Sequence, residues 1–214
     1  MSRAPGLTLL SAAAGTALLA ACGGDPPAPV PATVRAAAGQ TFACRDSFPT
    51  DLTSCPPAAV GGTVVVGGGV HTAGGGATLR METASTNFRL LENSSLRYVA
   101  NNGAAVSFLL TAGRVFADHA PGSGDVLIQS GNTAVAALGT RFTVAASANG
   151  VIVSVDQGEV AVAVPPQARQ AHVVHAGEGI LVPPGASAPP AARPMSASER
   201  QLWQHIGPGL QIRP

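Results

Sequence analysis

The chain has 214 residues, of which 46% are hydrophobic but only 4% aromatic, and it contains 26 Gly and 18 Pro. Charged residues make up 11% of the chain. The 12 basic residues are all Arg and face 11 acidic residues, so the formal net charge is +1 at pH 7. So few charges exclude a nucleic-acid-binding protein, which needs a basic surface, and the hydrophobic content excludes a fully disordered chain.

The amino terminus has the features of an export signal. Arg3 precedes an uncharged run, Leu7–Ala21, that is too short for a membrane span, since a span needs about 20 apolar residues. The run ends in Leu19-Ala20-Ala21-Cys22, which resembles a bacterial lipobox, where the signal is cleaved before a lipidated cysteine. We predict a lipoprotein signal peptide over residues 1–21 and lipid attachment at Cys22. The alternative is an ordinary secretory signal followed by a chance cysteine.

The residues after Cys22 predict where the anchored protein lies. Gly23 stands where an Asp would favour retention in the inner membrane, so the outer membrane is favoured over the inner, with the protein facing the periplasm. Residues 22–39 are rich in Pro and Ala and poor in large apolar side chains. Such a composition predicts a semi-extended tether between the lipid and the folded part.

The remaining cysteines predict a disulfide. The chain has 3 Cys, and lipidation of Cys22 leaves Cys44 and Cys55 as a pair in an oxidising compartment. Residues 40–59 would then be a disulfide-closed loop. Two free thiols or a metal pair are the alternatives, but no further ligands follow with zinc-like spacing.

Alternating apolar residues from about Val60 onward predict β-strands. Valine is the dominant aliphatic residue, and β-branched residues favour strands. The alternation is seen at Leu79/Met81, Phe88/Leu90, Leu96/Tyr98, Val106/Phe108/Leu110, Val126/Ile128, Phe142/Val144, Val151/Val153/Val155, Val160/Val162/Val164 and Ile180/Val182. Turn signals separate these runs, and one of them is Ala112-Gly113. Short strands at this spacing predict an all-β sandwich, roll or solenoid over residues 60–185.

A short helix is predicted near the carboxyl terminus. Ser196 and Glu199 have the spacing of a capping box, in which each side chain bonds the other residue's backbone amide. Leu202, Trp203 and Ile206 would form a narrow apolar face. Residues 186–214 are therefore interpreted as a Pro-rich linker and a short helix. Trp203 either docks the helix on the sheet or serves a partner-binding helix.

Part of the predicted β region resembles the FecR domain of bacterial cell-surface signalling. The resemblance runs from about Gly75 to Val182. Its most specific piece, Ala134–Val164, reads AVAALGTRFTVAASANGVIVSVDQGEVAVAV. Family-motif residues within it are Gly139, Thr140, Arg141, Phe142, Gly158 and Glu159. The resemblance also includes the segments FRLLENSSLRY, VSFLLTAGRVF and Ala176–Gly179. It implies an all-β domain.

The resemblance implies a periplasmic sensing module. In full-length family regulators this module follows a cytoplasmic sigma-factor-binding region and one membrane helix, and it relays a signal from an outer-membrane transporter. Neither preceding region is recognisable in this sequence, so we expect no direct contact with a sigma factor. The expected function is signal sensing or protein binding, with an envelope protein as partner. The alternative is a structural envelope lipoprotein, or one that binds glycan or peptidoglycan.

The candidate polar residues do not predict catalysis. Arg141 could be a recognition residue, but such an Arg more often pairs with a carboxylate, here Asp156 or Glu159. His172 and His175 would point to opposite faces of a strand and could not share a metal. The Gly-rich runs lack a phosphate-binding pattern, and no pair of carboxylates suggests acid–base chemistry. We expect no enzyme activity, no cofactor and no metal.

Overall fold

The computed structural model describes residues 30–45, 54–101, 105–165 and 171–206. Within these ranges the chain forms short strands and one helix. The strands are β1 (Ala32–Ala38), β2 (Thr41–Cys44), β3 (Thr63–Val64), β4 (Gly69–Thr72), β5 (Thr78–Glu82), β6 (Thr86–Leu90), β7 (Ser94–Asn101), β8 (Ala105–His119), β9 (Asp125–Ser130), β10 (Thr133–Ala137), β11 (Arg141–Ser147), β12 (Gly150–Gln157), β13 (Glu159–Ala163), β14 (His172–His175), β15 (Glu178–Val182) and β16 (Arg193–Pro194). The helix is α1 (Ala197–Ile206). The expected all-β fold with a short carboxyl-terminal helix is confirmed.

The strands form two sheets that share β8. Sheet A contains, in spatial order, β3, β1, β5, β6, the second half of β8, β11, β12, β15 and β16. Sheet B contains β2, β4, β7, the first half of β8, β9, β10, β13 and β14. The pairing of β8 with β9 is parallel, whereas the other pairings among the described strands are antiparallel.

One apolar core lies between the two sheets. The alternating apolar residues named above are buried in this core, from both sheets, except Val106, which is partly buried against it. Phe108 is near its centre, with its ring 4.5 Å from that of Phe88 and 5.0 Å from that of Tyr98. The Tyr98 hydroxyl donates a hydrogen bond to the Val30 carbonyl at 2.7 Å. Because both sheets contribute to one core, we describe the all-β fold as a two-sheet sandwich.

The long strand β8 corrects one sequence prediction. Ala112-Gly113 is not a turn between two strands; it is the point at which β8 passes from sheet B to sheet A. Ala112 still pairs with Ser95 of β7, whereas Gly113 pairs with Ala146 of β11. Gly113 has a φ of 77°, and this left-handed conformation, easy only for glycine, bends the strand without ending it.

The segment boundaries at the amino-terminal side also need correction. The predicted tether over residues 22–39 is wrong over its last part, because Ala32–Ala38 form β1, which pairs with β5. Ala32 and Val34 are fully buried there, so small side chains are enough to join the core. The predicted loop over residues 40–59 likewise begins with a strand, since Thr41–Cys44 form β2 against β4.

The carboxyl-terminal segment is attached to the sandwich. Ala186 and Ala192 pack on the core, and Arg193–Pro194 pair with β15. The interpretation of this region as a linker therefore does not hold between Ala186 and the helix. Helix α1 has ten residues; in the described ranges no helix has the length and hydropathy needed to cross a membrane.

Candidate functional site

The family-motif residues build a corner of the sandwich. The connection from β10 to β11 crosses from sheet B to sheet A at Gly139, and the connection from β12 to β13 crosses back at Gly158. Both glycines have positive φ, 70° and 79°. The Thr140 hydroxyl donates to the Glu159 carbonyl at 2.8 Å, and a Cβ on Gly158 would lie 3.0 Å from the Gly139 carbonyl oxygen. The two crossings therefore contact each other, and their motif residues hold the sheets together.

Arg141 connects this corner to the outer face of sheet A. Phe142 is fully buried in the core, so its neighbour Arg141 points outwards. One guanidinium nitrogen of Arg141 lies 3.2 Å from a carboxylate oxygen of Asp156. Its Cζ lies 5.5 Å from the centre of the Trp203 ring, a cation–π distance. The structure thus places Arg141 between one of the two carboxylates named above and the helix.

The other expected carboxylate, Glu159, lies at the exposed end of the corner. Its carboxylate is 3.4 Å from the Nδ1 of His175. His172 is on the opposite face of β14, where its Nε2 accepts a hydrogen bond from the Ala192 amide at 3.2 Å. In the described part of the chain no three His, Cys, Asp or Glu side chains are grouped so that they could hold a metal ion.

Helix α1 packs on the outer face of sheet A through its single Trp. The Trp203 ring meets Phe116 of β8 edge to face, with centroids 5.0 Å apart and planes at 82°. Met195 and Ile206 are buried in the same small apolar cluster. Trp203 therefore docks the helix on the sheet.

The predicted capping box forms and extends into a larger network. The Glu199 amide donates to the Ser196 hydroxyl at 3.2 Å, and the Ser196 amide donates to the Glu199 carboxylate at 2.7 Å. The same carboxylate accepts hydrogen bonds from the Ser154 hydroxyl at 2.6 Å and from Arg193 at 2.8 and 3.1 Å. Burial by itself would raise the pKa of Glu199, but the hydrogen bonds from Arg193, Ser154 and Ser196 lower it to about 2.

A cavity of about 150 Å³ remains between α1 and sheet A. Arg114, Thr143 and Trp203 are among its lining residues. Arg114 belongs to β8, and burial lowers its pKa, whereas the nearby negative charge of Glu199 acts in the opposite direction. The capping pair was recognisable from the sequence, whereas Arg114 and Thr143 were not identified from it. The alternation in β8 and β11 indicates that both side chains point away from the core. It does not indicate that a helix covers them.

The cysteines are only partly within the described residues. Cys44, at the end of β2, forms the predicted disulfide with Cys55, with Cα atoms 5.2 Å apart. Both cysteines are buried. The disulfide ties the amino-terminal edge of sheet B to the segment that leads into β3. Cys22 lies outside the described residues.

The chain is an all-β protein with two packed sheets. It crosses from one sheet to the other at a Gly-Thr-Arg-Phe corner, residues 139–142. The FecR protein family model matches residues 69–178, which extend from β4 to the start of β15 and include both crossings. The chain belongs to the FecR family.

Solved structures support the same fold. Two crystal structures of a "putative anti-sigma factor" from Parabacteroides distasonis ATCC 8503, at 1.65 and 2.50 Å resolution, each superpose with a TM-score of 0.52 at 17% sequence identity. Each match covers 62% of this chain and 63% or 62% of the other. The chain therefore spans less than two thirds of those proteins, and the likeness concerns the fold. No curated protein matches the sequence.

Proposed function

We propose that this protein is a lipid-anchored, noncatalytic sensing module that faces the periplasm and binds another protein of the bacterial envelope. The observation that carries the proposal is the FecR family match over residues 69–178, because the family's domain is a periplasmic sensing module. Membership of the family supports a role in envelope signalling. The proposal further specifies a lipid anchor at Cys22, the outer membrane as the location and an envelope protein as the partner.

The disulfide supports an exported location. Cys44 and Cys55 are bonded to each other, and such bonds persist in oxidising compartments such as the bacterial periplasm. The third cysteine, Cys22, follows the lipobox-like segment. Two or more acyl chains on this residue would anchor the protein stably, and Gly23 favours the outer membrane as its destination.

The polar groups of the motif corner and of the helix cap support binding rather than catalysis. Arg141 is engaged by Asp156 and Trp203, and the Thr140 hydroxyl is engaged by a backbone carbonyl. The carboxylate of Glu199, with a pKa of about 2, stays ionised at neutral pH and is a poor proton donor there. These residues stabilise the fold, and a partner would bind the outer surfaces of the sheets instead.

Replacement of Cys22 tests the anchor. In cells given a clickable fatty acid, the natural chain should be labelled and recovered with outer membranes. Cys22→Ser should accumulate as unlabelled precursor. Cys44→Ser is the matched control, because it removes a different thiol and should remain labelled. A Cys22→Ser protein that matures normally and stays membrane-bound would refute the anchor.

Photo-crosslinking in intact cells tests the partner. A photoreactive residue is placed at exposed positions on two outer faces, at Arg97 of β7 and Gln129 of β9 on sheet B and at Gln204 of α1 on the side of sheet A. A sensing module should give a discrete product with one envelope protein from one face and none from the other. Retention on purified cell-wall fragments without any protein product would favour the structural, glycan-binding alternative. A direct product with a sigma factor would contradict the periplasmic location.

A further inference from the structure

Two arginines face each other on the outer surface of sheet A. Arg80 of β5 pairs directly with Arg89 of β6 in the antiparallel register. The residues on either side of them in both strands are buried in the core, so both arginine side chains point outwards. Side chains directly opposite in such a pair have Cβ atoms about 5 Å apart. Like charges at this separation destabilise a sheet, so the pairing costs the free protein stability.

No described residue neutralises this pair. Neither guanidinium group forms a hydrogen bond or an ion pair with another described residue. Glu82, two residues further along β5, is engaged by Arg35 at 2.6 Å. Asp118 of β8, the other carboxylate on this part of the face, lies in register with Arg141 of β11. The pair therefore presents two positive charges that the described part of the chain does not balance.

The pair lies beside the area that helix α1 covers. Arg89 is in register with Phe116 of β8, and Phe116 is fully buried against the Trp203 ring. Arg80 is one strand further away from the helix. Both arginines are partly exposed. They therefore lie on a ledge of sheet A, formed by β5 and β6, next to the raised helix.

The shape of the ledge favours a polypeptide over a membrane surface. A helix with its side chains is about 10 Å thick, so α1 stands above the neighbouring strands. A flat bilayer that rests on α1 stays away from the ledge, whereas an extended segment of a protein can lie along it.

The two guanidinium groups specify the side chains of that segment. A guanidinium binds a carboxylate through two parallel hydrogen bonds. Alternate residues of an extended segment lie on the same face, about 7 Å apart, which is close to the separation of the two arginines. Two acidic residues with one residue between them therefore match the pair.

We infer that Arg80 and Arg89 bind an acidic segment of a partner protein, in which two Asp or Glu residues are separated by one residue. The inference rests on the proposed function, because it names the chemistry by which the expected protein partner is recognised. Two bound carboxylates would also relieve the repulsion between the arginines.

A labelled peptide tests the chemistry directly. The full chain, purified from membranes in an uncharged detergent, is titrated against a short fluorescent peptide that contains Glu-Thr-Glu, and fluorescence anisotropy measures binding. A peptide that contains Gln-Thr-Gln is the matched control. We expect saturable binding of the acidic peptide that weakens as sodium chloride is added. Arg80→Gln and Arg89→Gln should each weaken it about fivefold, as expected for a partly exposed ion pair.

Further variants separate binding from a purely structural role. Arg97→Gln removes an exposed Arg from sheet B and should bind the peptide as the natural chain does. Arg89→Lys keeps the charge without the planar fork and should bind more weakly than the natural chain. Because a like charge is removed, Arg80→Gln and Arg89→Gln should unfold at a higher urea concentration than the natural chain. Arginines that only support the fold would give a lower unfolding midpoint when replaced.

Photo-crosslinking in intact cells connects the pair to the partner. Thr78 lies two residues before Arg80 on β5 and therefore on the same face. A photoreactive residue at Thr78 should give a discrete product with an envelope protein. Combining Arg80→Gln with Arg89→Gln should remove this product, whereas Arg97→Gln should keep it.

The outcomes distinguish this inference from the proposed function. Saturable, arginine-dependent binding of the acidic peptide, together with an arginine-dependent product in cells, supports the inference. Absence of peptide binding, equal binding by the natural chain and the Gln variants, or equal binding of the Gln-Thr-Gln peptide overturns it. A product that the double variant keeps also overturns it but leaves the proposed function standing.

Two other results are informative. Arginine-dependent peptide binding without a cross-linked protein from either face of the sandwich supports the binding chemistry of the pair and contradicts the proposed function. Arginine-dependent binding to phosphatidylglycerol vesicles without binding of the acidic peptide overturns the inference, because the pair would then contact a membrane.

Discussion

The bend of β8 depends on the absence of a side chain at Gly113. Its φ is 77°, and a Cβ there would overlap the Ser94 hydroxyl and the Asn93 carbonyl and lie 2.5 Å from the Ser94 Cα. The Ser94 hydroxyl bridges the bend, since it accepts from the Arg114 amide at 2.8 Å and lies 3.1 Å from the Arg114 carbonyl. Gly113→Ala must therefore move Ser94 as well as strain the backbone.

The expected loss of stability is the result of three effects. An L-residue in the left-handed region costs about 1–2 kcal/mol. Forcing a methyl into a filled space adds about 1–3 kcal/mol, and a lost hydrogen bond adds about 1 kcal/mol. We expect Gly113→Ala to lower the free energy of unfolding by about 4 kcal/mol, a large part of the ~5–15 kcal/mol typical of a domain.

Gly122→Ala is the matched control for the backbone effect. Gly122 has a φ of 74°, nearly the same as Gly113, but nothing lies within 4 Å of a Cβ built there. It should lose only the backbone contribution of about 1–2 kcal/mol. Urea unfolding in oxidising buffer, followed by Trp203 fluorescence and far-ultraviolet circular dichroism, measures both variants. Equal losses for Gly113→Ala and Gly122→Ala would refute the steric account of the bend.

Three other variants test the helix and the disulfide. Glu199→Gln should destabilise the protein at neutral pH and flatten the dependence of stability on acid. The folded pKa of about 2 lies below the ordinary 4.5, so the contribution of Glu199 is complete above pH 4.5 and is lost as the pH falls towards 2. Trp203→Ala should cost about 3 kcal/mol and make α1 sensitive to protease. Removing both Cys44 and Cys55 as alanines should cost about 3 kcal/mol through the freed loop, measured as a lower urea midpoint.

Control variants accompany the Glu199 and Trp203 substitutions. Glu82→Gln removes a carboxylate from an exposed ion pair with Arg35 and should change stability little. Gln204→Ala alters an exposed position next to Trp203 on α1 and should leave protease resistance unchanged. A steep loss of stability between pH 4.5 and 2 in Glu199→Gln, as large as in the natural chain, would contradict the pKa argument. An unfolding midpoint of the natural chain that ignores reductant would contradict a stabilising disulfide.

The motif corner and the helix are physically linked through one side chain. Arg141 follows the Gly139 crossing and contacts both Asp156 and the Trp203 ring. A shift of the backbone at the corner would therefore move the Arg141 guanidinium, which lies over the Trp203 ring. The cavity beside Trp203 is thus connected by direct contact to the part of the chain that is most specific to the family.

Local patterns in the sequence determined several features of the protein. Apolar alternation such as Phe142/Val144 predicted buried strands because side chains alternate between the faces of any strand, whatever its partner. The capping pair of Ser196 and Glu199 was predictable because its two hydrogen bonds join residues three positions apart. The disulfide followed from counting cysteines, on the expectation that the chain is exported.

Other features were decided only by contacts between distant parts of the chain. Ala32–Ala38 become a strand because β5 offers backbone groups to pair with, not because of their own composition. Gly113 bends a strand rather than ending it because β11 continues the ladder with the following residues. Thr143 and Arg114 face a cavity only because α1, about sixty residues further along the chain than Thr143, covers that face of sheet A. Periodicity assigns a residue to a face of a strand, but the tertiary structure decides what covers that face, because that depends on the packing of elements far apart in the sequence.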